Sequence, residues 1–538
     1  MSRNTALLNG RIWTAASPPW AEALLVRDGH IAAVGSTDEI RQQVGPDAER
    51  IDLRGRLVVP GFHDSHLHST GGALQLGKVE LKDAADEGEF GRRLQREDRR
   101  LPPGRWMTGG RWDHDRTFAG ALPTAALIDC YVPERPVFLR RYDGHMAVCN
   151  SRALELAGIT GATPDPPGGK VLRDRATGRP TGILQDEAMA LVWSLIPPAA
   201  EGEVAQAMRQ ALREAARAGI TTIHDMMGGE VEVSLRAYER LAQADELTAR
   251  VALYWPLSAA AQAAEMSREL RGRLHADRLQ LCGVKAFVDG SLGSSTAWFF
   301  EPYQHEPGHC GFPVARPDEL SHALREADRL GLQAAVHAIG DRAIAELLTI
   351  WEQLVAGEAP RDRRLRMEHA QHVRPGDIPR FERLGVIASM QPYHLADDGR
   401  WAEERIGRER CGDAFVFRSL LDRGVRVAFG SDWPVAPLDP LLGIEAAVHR
   451  RTLGGRHPDG WHPEQRISVV EALRAFTADA AHAIFRGNDL GALQPGKLAD
   501  LVVLSHDIAD PAKQDAIAET KVELTMVGGR AIHEEAGT

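Results

Sequence analysis

Two histidines separated by a single residue stand in the segment PGFHDSHLH, at positions 66 and 68. Alternate residues of a β-strand point to the same side, so Asp64, His66 and His68 share one face, and two imidazoles spaced in this way form a clip for a divalent metal ion. Three further metal-binding side chains close short apolar runs: His337 ends LQAAVH, His369 ends RMEH and Asp432 ends VRVAFGSD. Imidazole nitrogen and carboxylate oxygen are ordinary ligands of zinc and related ions. The cysteines, at 130, 149, 282, 310 and 411, are widely spaced and form no CxxC pair, which points away from a thiolate site or a disulfide framework. A metal held by this chain is therefore expected to be held by nitrogen and oxygen.

A lysine interrupts another run. In CGVKAFVDGSLGSST, Lys285 sits in a strand pattern that otherwise reads as buried and shares its face with Phe287 and Asp289. Burial disfavours the charged form of a lysine, and a neutral amine can add carbon dioxide. The resulting carbamate carries two anionic oxygens and can bridge two metal ions where an ammonium would repel them. The competing expectation is a structural ion pair of Lys285 with Asp289, Asp225 or Asp432.

These residues need a frame that brings them to one place. Four times an amphipathic helix pattern ends at a glycine and turns into a short apolar or β-branched run: REAARAGITTIHD, READRLGLQAAVHAIGD, FERLGVIASMQP and LLDRGVRVAFGSD. Such alternation predicts a parallel sheet covered by helices. Strand candidates at 58–68, 220–225, 251–256, 284–290, 332–341, 365–371, 386–392 and 425–432 supply the eight strands of a (β/α)8 barrel, whose C-terminal mouth collects residues remote in sequence. Residues 1–57 and 488–538 read as short strands with turns and are expected to form one composite β-sandwich. The barrel then occupies 58–99 and 201–487, and residues 100–200, rich in Pro and Gly, form an inserted subdomain near the active site.

The chain has 538 residues, 26% of them charged, and a formal net charge of −11 with no basic run. That balance disfavours a nucleic-acid or acidic-membrane surface and favours a small-molecule partner. The first residues carry no basic segment followed by an apolar one, and no apolar stretch reaches spanning length, so the expected address is the cytoplasm. The acidic surface and the sandwich are compatible with a homodimer without requiring one.

The motifs PGFHDSHLH, VKAFVDGSLGS, HAIGDRA, EHAQ, SMQP and FGSDWPV follow one another in this order and end in LGALQPGKLADLVVL and VGGRAI. Together they resemble the amidohydrolase superfamily, in particular its amidohydrolase-3 branch, which includes N-substituted formamide deformylases. The resemblance spans nearly the whole chain. It implies a (β/α)8 barrel with a composite β-sandwich and a site for one or two divalent ions, taken as zinc. Its ligands would be His66, His68, a carboxylated Lys285 bridging a binuclear centre, His337, His369 and Asp432. The chain departs from the branch at Ser295, where related sequences often carry an arginine.

The resemblance and the residues together point to hydrolysis of a non-peptide C–N bond by metal-activated hydroxide, with Asp432 moving the proton. His145 in YDGHM, His224 in TTIHDM and Gln391 in SMQP are candidate substrate contacts. An open-chain amide, an N-substituted formamide or an N-acyl amine, is the favoured substrate. A cyclic amide hydrolase, a heterocycle deaminase and a metal-binding scaffold without catalysis are the alternatives.

Overall fold

The glycines that end the four repeated phrases, Gly219, Gly331, Gly385 and Gly424, all adopt left-handed φ, between 63° and 79°. A residue without Cβ takes this conformation at little cost, and the chain leaves each helix there and enters a strand. The computed structural model describes residues 4–228, 231–273 and 277–535. Its central sheet has eight parallel strands in sequence order: β1 (Phe62–Leu67), β2 (Ile220–Met226), β3 (Arg250–Pro256), β4 (Leu279–Phe287), β5 (Gln333–Ala338), β6 (Arg366–His369), β7 (Ile387–Met390) and β8 (Val427–Phe429). The barrel is closed just beyond β8, where Asp432 N–H donates to the His66 carbonyl at 2.6 Å and His68 N–H donates to the Trp433 carbonyl at 2.8 Å. The Asp64 carboxylate fastens the same seam by accepting from Ser431 N–H at 2.9 Å and from Ser431 Oγ–H at 2.5 Å.

The sandwich packs a four-stranded sheet, which includes Thr5–Leu8 and Ala23–Arg27, on a six-stranded one that contains Leu501–Leu504 and Val522–Val527. Leu7, Leu24 and Val26 meet Leu501, Val503 and Met526 in its core. The expected first barrel strand, 58–68, is two strands: Leu57–Pro60 pairs with Leu501–Leu504 in the sandwich, and only Phe62–Leu67 enters the barrel. Gly61 makes the crossing, because a Cβ there would lie 2.3 Å from the Thr221 side chain.

The insertion also begins earlier than position 100. Val79–Glu80 pairs with Met107–Trp112, and Val79, Phe90 and Leu94 share a core with Met107, Trp112 and Leu139, so residues from 79 onward pack with the insertion and not with the barrel. The insertion sheet runs in the order Gly169–Arg173, Pro180–Asp186, Met146–Cys149, Val137–Arg141, Met107–Trp112, Val79–Glu80. Among the described residues no helix is long and apolar enough to cross a membrane.

One buried ion pair ties barrel to sandwich. Asp500 accepts from Arg250 Nε at 2.7 Å and Nη2 at 3.0 Å, and its Oδ1 also accepts from Gly528 N–H at 2.7 Å. Burial raises the pKa of this carboxyl, but the Arg250 charge and these hydrogen bonds hold it below the usual range. Removing one partner strands a buried charge, so Asp500→Ala is expected to destabilise the fold by about 3–5 kcal/mol, read as the shift of the unfolding midpoint in denaturant. A loss below about 1 kcal/mol would contradict this role.

Candidate active site

His66 Nδ1–H donates to Glu368 Oε2 at 2.6 Å, His68 Nδ1–H donates to the Met226 carbonyl at 2.6 Å, and His337 Nε2–H donates to the Gly290 carbonyl at 2.9 Å. Each ring thus uses one nitrogen as a donor to a fixed acceptor and keeps the other as a lone pair, the arrangement that orients histidine ligands toward a metal. His66 Nε2 lies 3.6 Å and His68 Nε2 3.3 Å from Asp432 Oδ1. On the other side of the mouth, His394 Nε2 is 3.9 Å from Asp432 Oδ2. His369 Nδ1 and His394 Nε2 are buried and have no hydrogen-bond partner among the described residues.

Ligand atoms of His66, His68 and Asp432 lie within 4.8 Å of one another, and those of His369, His394 and Asp432 do the same. Asp432 is common to both groups. The His337 and His369 ring centroids are 4.4 Å apart and those of His66 and His369 4.9 Å apart. Burial, followed by neighbouring cationic groups, holds His66, His337 and His369 well below the usual histidine range, so these crowded rings are neutral. Burial opposes the charge of Asp432, yet its close contacts with the His68 and His66 imidazoles hold its carboxyl well below the usual carboxylate range. Converging lone pairs around one ionised carboxylate are the donor set that a divalent cation requires.

Lys285 lies inside this cluster, 4% exposed, with Nζ 3.3 Å from His66 Nε2. None of the carboxylates expected as ion-pair partners is within 4.0 Å of it: Asp289 accepts three backbone N–H groups, from Trp298, Ile339 and Gly340, and Asp225 accepts from Ser69 N–H and Tyr238 O–H. Burial lowers the Lys285 pKa to about 8, with Glu368 and Asp432 opposing only in part.

The chain matches a model described as the amidohydrolase family over residues 49–533. The chain belongs to the amidohydrolase family. It is a metal-dependent hydrolase acting on carbon–nitrogen bonds other than peptide bonds, with a small-molecule substrate. The Arabidopsis thaliana protein LONG AFTER FAR-RED 3 is 38% identical to it over 98% of this chain and 91% of that one. An N-substituted formamide deformylase of Arthrobacter pascens is 29% identical over 100% and 99% of the two chains. The crystal structure of an uncharacterized metal-dependent hydrolase from Pyrococcus furiosus superposes with a TM-score of 0.72 at 30% identity, covering 94% of this chain and 100% of that one.

In this amidohydrolase the mouth gathers His66, His68, Lys285, His337, His369 and Asp432, with His394 as an addition that the strand pattern missed. His394 lies in the first turn of helix Pro392–Asp398, directly after β7, and its ring stacks on His369 at 6.2 Å. Its only signal was a histidine three residues after Gln391 in MQPYH, at a strand-to-helix turn. Glu368 and Arg366 were also missed. Arg366 is fully buried in the barrel and donates from Nε to Glu368 Oε1 at 2.8 Å, so it fixes the carboxylate that orients His66.

The three expected substrate contacts separate. His145 reaches the mouth from the insertion, its ring centroid 5.2 Å from that of His337 and its Nδ1 2.7 Å from Asp186 Oδ1. Gln391 lies buried at the end of β7, donating to the Ser389 carbonyl at 3.3 Å. His224 is not at the mouth: it is fully buried on the barrel floor, 3.1 Å from Arg366 Nη1 and 3.4 Å from His63 Nδ1, with both ring nitrogens engaged.

The loop that lacks the branch arginine is gripped from the insertion by another one. Arg141, fully buried, packs on Gly293 and holds Asp143 at 2.8 Å, and Asp143 accepts from Ser291 Oγ–H and Ser294 Oγ–H at 2.5 and 2.8 Å. Burial pushes the Asp143 pKa up, but Arg141 dominates and holds it down at about 2. A depressed carboxyl stabilises the fold above its unfolded pKa and loses that contribution as pH falls through the folded value. Between pH 5 and pH 2 the wild-type protein is therefore expected to lose about 2 kcal/mol more stability than Asp143→Asn, as read from denaturant midpoints. Equal losses would contradict the pairing.

Proposed function

We propose that this amidohydrolase cleaves the amide bond of an open-chain small molecule, an N-substituted formamide or another N-acyl amine. The observation that carries the reading is the Asp432 carboxylate, shared by two groups of neutral imidazoles at the C-terminal mouth of the barrel. The likeness to the formamide deformylase over the full length of both chains supports the choice of substrate.

His66, His68 and Asp432 would hold one divalent ion, taken as zinc, and His369, His394 and His337 a second, with Lys285 between them as a carbamate. Bound there, such an ion supplies Lewis acidity toward a carbonyl oxygen and acidifies water that reaches it. The chain supplies the rest. Glu368 and the Met226 carbonyl keep His66 and His68 in fixed orientations. Asp432 accepts the proton of the attacking water at a carboxylate oxygen and returns it to the departing nitrogen, as one carboxylate within reach of both atoms can. His145, braced by Asp186, and Gln391 border the place where the carbonyl must sit and serve as substrate contacts.

The test is a panel of formamides, acyl amines, cyclic imides and aminoheterocycles, offered to protein stripped with chelator and reloaded with zinc in the presence or absence of bicarbonate. Turnover of the open-chain amides, restored by zinc and raised by bicarbonate, is expected. Turnover confined to cyclic imides or aminoheterocycles, or full metal occupancy with no turnover at all, would overturn the reading.

A further inference from the structure

We infer that the substrate carries, on one side of its amide, an extended uncharged apolar arm that lies in a cleft running outward from the metal mouth. The inference rests on the amide reading above and names the class of amide. The cleft measures about 1410 Å³, and His68 and Lys285 line its inner end, so it is continuous with the reacting position. A pocket for a drug-sized ligand is about 300–1,000 Å³, far more than the few atoms of a formyl or acetyl group and a short amine would fill.

The walls explain what fills the remainder. The cleft runs past the ends of β2, β3 and β4, where Met227, Trp255, Leu257 and Phe287 face it, with Val314 from the segment that follows β4. Phe287 is 37% exposed although every residue from Gly283 to Ala286 is buried or nearly so, and its ring stands 5.2 Å from that of His337. An aromatic ring left open beside the reacting position favours an apolar group next to the amide.

The outer end bears charge that selects against an acidic arm. Arg236 pairs with Glu201 at 3.3 Å and Glu232 at 3.6 Å, and Arg273 pairs with Glu239 and, at 3.0 Å, with Glu269, so both arginines of the cleft are already engaged. Glu187 and Glu265 add negative charge on the same lining and form no ion pair among the described residues. A terminal carboxylate on the arm would meet only excess negative charge there, which costs affinity.

The experiment uses the zinc-loaded full-length enzyme with N-alkylformamides from ethyl to dodecyl, N-acylbenzylamines from acetyl to dodecanoyl, and the ω-carboxy counterparts of both series. In one series kcat/KM is expected to rise about threefold per added methylene over the first several carbons, the gain of burying each in an apolar site. A terminal carboxylate is expected to lower it at least tenfold relative to the methyl-ended member, about one kcat/KM decade per unfavourable charge contact. Val314→Trp, which narrows the cleft, is expected to cut the ratio of long-arm to short-arm kcat/KM by about tenfold, through KM. Turnover of the shortest members with no dependence on arm length in either series, or a carboxylate that accelerates turnover, overturns this inference and leaves the amide reading standing. Absence of turnover for every amide overturns both.

Discussion

Asp432→Asn is expected to lower kcat by more than about a thousandfold while the protein keeps its metal. Asparagine retains an oxygen at the position where the two imidazole groups meet, and the seam of the barrel is held there by the backbone N–H of residue 432, which the substitution leaves in place. What asparagine cannot do is accept a proton from water and deliver it to a leaving nitrogen. General acid–base assistance alone contributes about 10²–10⁴-fold, and here one carboxylate is used twice. Its carboxyl is held below the usual range and is therefore ionised, the form with an oxygen free to accept a proton. The measurement pairs single-turnover kinetics with metal analysis of the same sample. Near-normal turnover with full metal would remove Asp432 from proton transfer.

Lys285 carries the second large effect. Lys285→Ala is expected to weaken binding of the second ion by more than about a hundredfold, since residues that merely support ligands already change metal affinity by about 10–100-fold. Activity should fall with it and return in part when a short carboxylic acid is added, because a free carboxylate can take the place of the carbamate. Lys285→Arg separates this account from a structural cation: arginine keeps a positive charge but cannot carry carbon dioxide. Both variants are expected to lose the second ion. If Lys285→Arg binds metal and turns over like the wild type, the residue is a buried cation and the carbamate is excluded.

Several parts of this site were legible in the chain, for identifiable reasons. His66 and His68 declared themselves through strand alternation, and the helix–glycine–strand phrases located four of the eight strands, β2, β5, β7 and β8, since a left-handed turn at the helix end leaves a local signature. Strand parity specifies a side and not a height along the barrel axis. His224 therefore pointed inward as expected and yet lies on the floor, against His63 and Arg366.

Parity failed at β6 for another reason. Arg366 and Glu368 share the inward face, so His369 should point away. It reaches the mouth because it and Ala370 hold φ of 72° and 43°, which breaks the alternation. Asp432 has a φ of 59°, and such left-handed residues other than glycine persist where surrounding structure holds them in place, commonly at functional sites. His394 carries no strand signal because it stands on a helix. The early start of the insertion was hidden because Val79–Glu80 finds its partner at Gly109–Gly110, a pairing that no local pattern records.

The central claim is a metal centre at the barrel mouth, built around Asp432 and bridged by a modified Lys285. Diffraction from zinc-loaded crystals grown with bicarbonate, recorded at the zinc absorption edge, tests it most directly. The account predicts one anomalous peak among His66, His68 and Asp432, a second beside His369, and branched density extending from Lys285 Nζ between them. Zinc bound away from these residues, with Lys285 ending in a bare amine, would contradict it.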